Sequence, residues 1–391
     1  MTKKIRVAII GCGLMARQSH IPNLLQMEEA ELVLCCDTDE ESLAQCRKLA
    51  DGVRVCTDYR EAINDPGVDA VLLATTERFR LPPVEEAIRA NKPVYCEKPF
   101  AQNLQEAWRI RDLVEKSALP FCVGHNRRCA PALVDAQRLF AAHMRQPGPC
   151  PWRFRRDGAL PPRLEEESIF GSLAIHINDD WWSWKPVHVT GQNGEIGLLL
   201  SENTHFADVA CWFLQSEPVA VTTTFSGLTL HQVAIEFEGG HLATIHSSAN
   251  GSFAAPKELY IASGRGATVT VDHMLELRVA GIAGTPLIKT YPMVNDRHPQ
   301  IGTEGGLHGW LKKKEFACEE AALQRNPSLQ FTAEPDKGHQ KILAEFVREI
   351  HKERAPVSPV ADAVRALEIC VASIRSKREG RRVAISELSH E

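Results

Sequence analysis

What this chain lacks narrows its function before any motif is read. No apolar run approaches the roughly 18 residues that a membrane helix requires. No signal-peptide layout precedes the first strand-like run, so a cytoplasmic protein with no membrane partner is expected. Neither sign of charge prevails: 45 basic residues face 50 acidic ones, and the net charge of −5 favours neither nucleic acid nor an anionic bilayer. The 12 cysteines form no C-x-x-C pair, and the 15 histidines show no metal-ligand spacing. Neither a metal nor a disulfide framework is expected, because cysteines scattered in apolar strands behave as small hydrophobes. Internal repeats and low-complexity tracts are lacking too.

What is present is an ordinary globular composition, 44% hydrophobic and 24% charged, over 391 residues. That length exceeds a single core and implies two domains. The most informative stretch runs from Ile5 to Ala16. A short apolar run ends in Gly11-Cys12-Gly13-Leu14-Met15-Ala16, a helix-compatible stretch follows, and Asp37 closes the next apolar run. This is the dinucleotide fingerprint. Gly11 permits the sharp turn, Gly13 lets backbone amides of the Leu14–Met15 segment approach a pyrophosphate, and Ala16 keeps helix and strand close. Asp37 is suited to accept from the ribose 2′-hydroxyl and to repel a 2′-phosphate, which favours NAD over NADP.

Strand and helix patterns alternate to about residue 125. Helices are expected over Glu40–Leu49, Tyr59–Ile63, Pro83–Ala90 and Asn103–Lys116. Strands are expected over Val68–Ala74, Pro93–Cys96 and Pro120–Val123. Such repetition implies a parallel sheet covered on both faces. Residues 1–124 are therefore read as a Rossmann domain and 125–391 as an α+β domain. In the latter, alternating runs at Val219–Phe225, Gln232–Phe237, Leu242–His246 and Leu259–Ala262 predict an open, mostly antiparallel sheet. Helices at about 339–378 are expected to pack back towards the first domain. The sheet can bury only one face on its own helices, so self-association into a homodimer or homotetramer through the other is expected.

Ligands of open α/β sheets bind at the carboxyl ends of strands. Glu97-Lys98-Pro99 follows such a strand, where a partly desolvated Lys98 shuttles protons or is a plain surface lysine. Ser201, His205 and Asp208 share one face of a later helix, a polar stripe suited to a cleft wall or to solvent. Trp181, Trp182 and Trp184, between Asp179-Asp180 and Lys185, fit a sugar platform and a packed core equally.

These motifs together resemble the glucose–fructose oxidoreductase / inositol dehydrogenase (Gfo/Idh/MocA) family. The resemblance rests on the glycine fingerprint, Asp37, Ala74-Thr75-Thr76, Glu97-Lys98-Pro99, Val123-Gly124-His125-Asn126-Arg127-Arg128, and His205 with Asp208 before Trp212-Phe213-Leu214. It extends to Asp362–Leu367 and Gly380–Val383. It implies NAD bound by Gly11, Gly13, Leu14, Met15, Asp37, Thr75, Thr76, Glu97 and Lys98, and a Lys98–His205 catalytic pair. It also implies a small carbohydrate or polyol substrate met by Arg127, Trp182, Trp184, Lys185, Ser201, Glu202 and Asp208. The Lys98–Pro99 peptide is often cis in this family. Two departures are notable. Family members commonly carry Asp at the position of Ser201, with Glu202 here its neighbour, and often His at the position of Arg80, which reads as a surface residue or an anion contact. The implied activity is NAD-dependent hydride transfer at a sugar or polyol carbon. A redox-assisted glycoside hydrolase or lyase, and a non-catalytic cofactor-binding sensor, are the alternatives.

Overall fold

The computed structural model describes residues 3–146, 170–180, 197–294, 306–326 and 334–390. The chain divides into two compact units, residues 1–129 with 338–368 and residues 130–337 with 369–391. The first unit runs past Gly124 for a local reason. The turn Asn126–Cys129 is tied to later segments of the same unit, with Asn126 Nδ2 3.3 Å from His339 Nε2 and Arg128 donating to the Val357 carbonyl and the Asp362 carboxylate.

In the first unit, β1 (Ile5–Ile10), β2 (Ala30–Cys36), β3 (Arg54–Cys56), β4 (Ala70–Leu73), β5 (Val94–Cys96) and β6 (Phe121–Val123) form one sheet in the order β3-β2-β1-β4-β5-β6. Every pair is parallel. That order is the doubly wound dinucleotide-binding topology. Between the strands lie α1 (Ile21–Leu25), α2 (Glu40–Leu49), α3 (Tyr59–Asn64), α4 (Leu81–Arg89) and α5 (Leu104–Ser117). Short polar side chains start these helices. Asp39 accepts from the Ser42 amide at the head of α2, and Asn103 accepts from the Glu106 amide at the head of α5, both at 2.9 Å. Each such cap is worth about 1 kcal/mol. β4 and β5 are buried throughout, as parallel strands covered on both faces must be. A core of Ile9, Ile21, Leu43 and Leu72 continues into Ile342 and Phe346 of the helix His339–Ile350, one of the helices expected to pack back towards the first domain. One detail departs from expectation: after the glycine loop the chain makes a π-helical turn, Ala16–His20, before α1.

The second unit begins with α6 (Pro131–Met144) and builds a nine-stranded sheet. Its strands are β7 (Ser172–Asn178), β8 (Pro218–Ser226), β9 (Leu230–Phe237), β10 (Leu242–Ser248), β11 (Glu258–Gly264), β12 (Ala267–Asp272), β13 (Glu276–Ala280), β14 (Ile288–Thr290) and the short Val383–Ala384. Only β7 and β10 pair in parallel; the remaining neighbours are antiparallel. Leu173, Ile175 and Ile177 of β7 alternate inward with Val233, Ile235 and Ile245, under the helix Asn203–Leu214 and α6, whose Phe213 and Phe140 rings lie 5.6 Å apart. The opposite face carries Ala174, His176, Gln232, Ala234, Thr244 and Ile261, and the His176 and His246 rings stack there at 4.9 Å. This outer face is thus mainly small and polar, with Leu242 and Ile261 among its exposed large apolar side chains. Among the described residues no helix is long and apolar enough to cross a membrane.

Candidate functional site

The first unit assembles a cofactor cradle from loops at one end of its sheet. Gly11 has φ +90°, and a Cβ on it would stand 2.5 Å from the Thr75 amide nitrogen, so the β1 and β4 loops can touch only through glycine. A Cβ on Gly13 would meet nothing within 4 Å, and the neighbouring Leu14 and Met15 are exposed. That leaves open backbone where the fingerprint expects a pyrophosphate. Asp37 Oδ2 accepts from the Cys12 amide at 2.6 Å and Oδ1 from the Asp39 amide at 2.9 Å, which fixes the carboxylate against the loop. Thr75 Oγ1 donates to the Phe79 carbonyl at 2.8 Å, and Thr76 is exposed. These residues fit a dinucleotide.

β5 leads into a buried polar cluster. Glu97 lies 2.9 Å from His20 Nε2, accepts the Lys98 amide at 3.1 Å and receives the Tyr95 hydroxyl at 3.5 Å. Burial pushes the Glu97 carboxyl up, but the His20 contact and the Lys98 and Arg80 charges outweigh it and bring it to about 2. Gly124 is required beside it, because a Cβ there would meet Glu97 Oε1 at 2.9 Å. Lys98 is half-buried and its bond to Pro99 is cis. Arg80 is not a surface residue. It is 3% exposed and donates to the Leu73 carbonyl at the end of β4, at 2.5 Å. Arg127 is likewise buried and donates to Asn126 Oδ1. Asp362 of the late motif holds Arg128, so that part of the resemblance is structural.

In the second unit Ser201 ends one short helix, Gly197–Ser201, and the helix Asn203–Leu214 follows. His205 and Asp208 are buried, which sets aside the solvent-facing alternative for this stripe. Ser201 Oγ donates to the Gly197 carbonyl at 2.5 Å, so the hydroxyl is engaged with its own helix. Glu202 is also buried, and Lys257 Nζ stands 3.4 Å from it and 3.1 Å from Asp179. Burial raises the Asp179 carboxyl; Lys257 pulls it down and Glu202 pushes it further up. Sequence reasoning missed Lys257 and also Asn203. The Asn203 side chain is 3% exposed, and among the described residues neither its Oδ1 nor its Nδ2 has a hydrogen-bond partner. A buried amide without a partner is costly unless a ligand or water satisfies it. Trp182, Trp184 and Lys185 lie outside the described residues.

Fold and cradle together define a two-unit dinucleotide-binding protein with an open sheet in its second unit. Residues 5–125 match the model of the Gfo/Idh/MocA oxidoreductase family, NAD-binding Rossmann fold, so the first unit is similar to the NAD-binding domain of that family. Inositol 2-dehydrogenase 2 of Saccharopolyspora erythraea is 28% identical over 177 residues, 45% of this chain and 52% of that one. D-apiose dehydrogenase of Paraburkholderia graminis is 31% identical over 34% of this chain and 35% of its own. The matches thus span about half the length of these relatives or less. An oxidoreductase of Thermotoga maritima shares the fold across 99% of this chain and 100% of its own, with TM-score 0.72 at 18% identity.

Proposed function

We propose that this protein is an NAD-dependent dehydrogenase acting on a hydroxyl-bearing carbon of a sugar, sugar derivative or polyol. The observation that carries this reading is the end of β5. There a buried Glu97 carboxylate, held ionised, sits beside a half-buried Lys98 at the carboxyl edge of a dinucleotide-binding sheet. The partial match to an inositol dehydrogenase and an apiose dehydrogenase supports the substrate class. NAD, when bound, supplies the hydride acceptor. The chain's own residues do the rest. Lys98 donates a hydrogen bond to the reacting hydroxyl, and the His205 imidazole takes up or relays its proton. Glu97 keeps the Lys98 backbone amide in place. Glu202, Lys257 and Asp179 set the charge beside the His205 helix.

The test is NADH formation across inositols, free sugars, sugar acids and glycosides. One substrate class with stoichiometric NADH is the expected result. Cleavage of a glycoside without net NADH would replace this reading with redox-assisted bond cleavage. Tight NAD binding with no turnover anywhere would replace it with a sensor.

A further inference from the structure

Three thiols meet beneath the glycine loop, and the proposed reaction has no use for them. Cys12 stands between the two loop glycines, Cys35 lies on β2, and Cys46 lies on α2. All three are 0% exposed and free of disulfides, and their sulfurs lie within 4.8 Å of one another. Among the described residues they are the one set of three histidine, cysteine or carboxylate side chains gathered this tightly. Each is held in place by a different part of the fold. The Cys12 amide is bonded to Asp37, Cys35 pairs with Ile9 in the sheet, and α2 is capped by Asp39. Their meeting is therefore built by three separate elements.

We infer that Cys12, Cys35 and Cys46 form a three-sulfur site for a soft divalent d10 cation. Thiolates select soft metals over calcium, magnesium or manganese. Metal–sulfur bonds of about 2.3 Å place three sulfurs around one ion about 4 Å apart. The observed spread, up to 4.8 Å, needs only a small contraction to reach that. Binding converts three thiols into three thiolates, releases three protons, and leaves one net negative charge on the complex. Arg17 supplies the balancing charge. It donates to Ser42 Oγ of α2 at 3.1 Å, and its charge acts on Cys46. A monovalent ion would leave two negative charges against that one cation, so a divalent one is favoured. The site also opposes NAD. Contraction draws on the residue between the two glycines and adds negative charge beneath the loop that takes the pyrophosphate, and such coupling is reciprocal.

Cadmium(II) is the probe, added to the full chain in phosphine reductant with incubation long enough for entry into a closed core. The expected result is a thiolate-to-cadmium charge-transfer band that saturates at one ion per chain, with three protons released per ion. Cys35→Ala and Cys46→Ser should each abolish the band while NAD binding, read by fluorescence, shows that the variants are folded. Saturating NAD should weaken cadmium binding several-fold. Absence of the band, or a band that survives both substitutions, would overturn the site. Equal cadmium affinity with and without NAD would overturn its coupling to the loop.

Discussion

His20 Nε2 stands 2.9 Å from Glu97 Oε1, with neither side chain open to solvent. The Glu97 carboxyl is held at about 2 against an ordinary 4.5: burial alone would raise it, and His20 provides the largest opposing effect. A depressed carboxyl contributes stability that is present above its unfolded value and lost as pH falls from about 4.5 towards 2. His20→Ala leaves the carboxylate buried without its main partner and should cost about 3–5 kcal/mol at pH 7. Burial then lifts Glu97 above its unfolded value, and the folded variant takes up a proton as pH falls. The deficit should therefore shrink between pH 7 and pH 4 in urea unfolding. A deficit that stayed constant or grew would contradict the arrangement.

Asp37 accepts from two amides, those of Cys12 and Asp39, and is proposed to meet the ribose in the cofactor complex. Asp37→Asn keeps one acceptor, for the Cys12 amide, gives up the one that serves the Asp39 amide, and removes the charge that repels a 2′-phosphate. The ratio of kcat/KM for NAD over NADP should fall on the order of tenfold, the scale of one unscreened like-charge contact. Steady-state kinetics with both cofactors measures it. A wild-type preference for NADP would refute the assignment of Asp37 outright.

Local signals were readable in the sequence, and long-range ones were not. The glycine fingerprint, the continuous apolar strands and the span of α2, Glu40–Leu49, depend on neighbours within a few residues and stand in the structure as read. β7 went unread although Ser172–Asn178 alternates, and it forms the middle of the nine-stranded sheet. Nothing local marks His20 as the partner of Glu97, or Lys257 as the cation between Asp179 and Glu202, because those pairings exist only once distant elements meet. Arg80 misled for the same reason: an arginine at a helix start looks solvated until the carbonyl it reaches, on Leu73, is known.

The outer face of the nine-stranded sheet should join two copies of the chain. Its small and polar residues, Ala174, Gln232, Ala234 and Thr244 among them, suit close face-to-face packing better than an apolar patch would. Light scattering at micromolar concentration should show an oligomer, and Ala234→Arg, which places a long cation on that face, should dissociate it without lowering the melting temperature. A monomeric wild-type protein would contradict this.

Asn203 distinguishes a ligand-directed residue from a packing one. Its buried amide has no partner among the described residues, so Asn203→Leu, similar in volume and without polar atoms, should leave stability unchanged within about 1 kcal/mol or raise it. On the substrate found by the panel, kcat/KM should fall at least tenfold, consistent with a lost hydrogen bond to substrate of about 1.5–3 kcal/mol. A variant that unfolds more easily and turns over normally would make Asn203 a structural residue.

Lys98 carries the sharpest test of the chemistry. Its ammonium has two separable effects: the proposed donation to the reacting hydroxyl, and a charge that helps hold Glu97 ionised. Lys98→Met removes both; Lys98→Arg keeps the charge but not the compact donor. If proton handling is the role, both variants should lose on the order of 10² or more in kcat. NAD affinity should change little, because the loop at Gly11 and Gly13 is intact. If instead Lys98 acts only through Glu97, the arginine variant should recover most of kcat while the methionine variant does not. Near wild-type turnover in Lys98→Met would remove the lysine from the reaction altogether and raise the sensor reading.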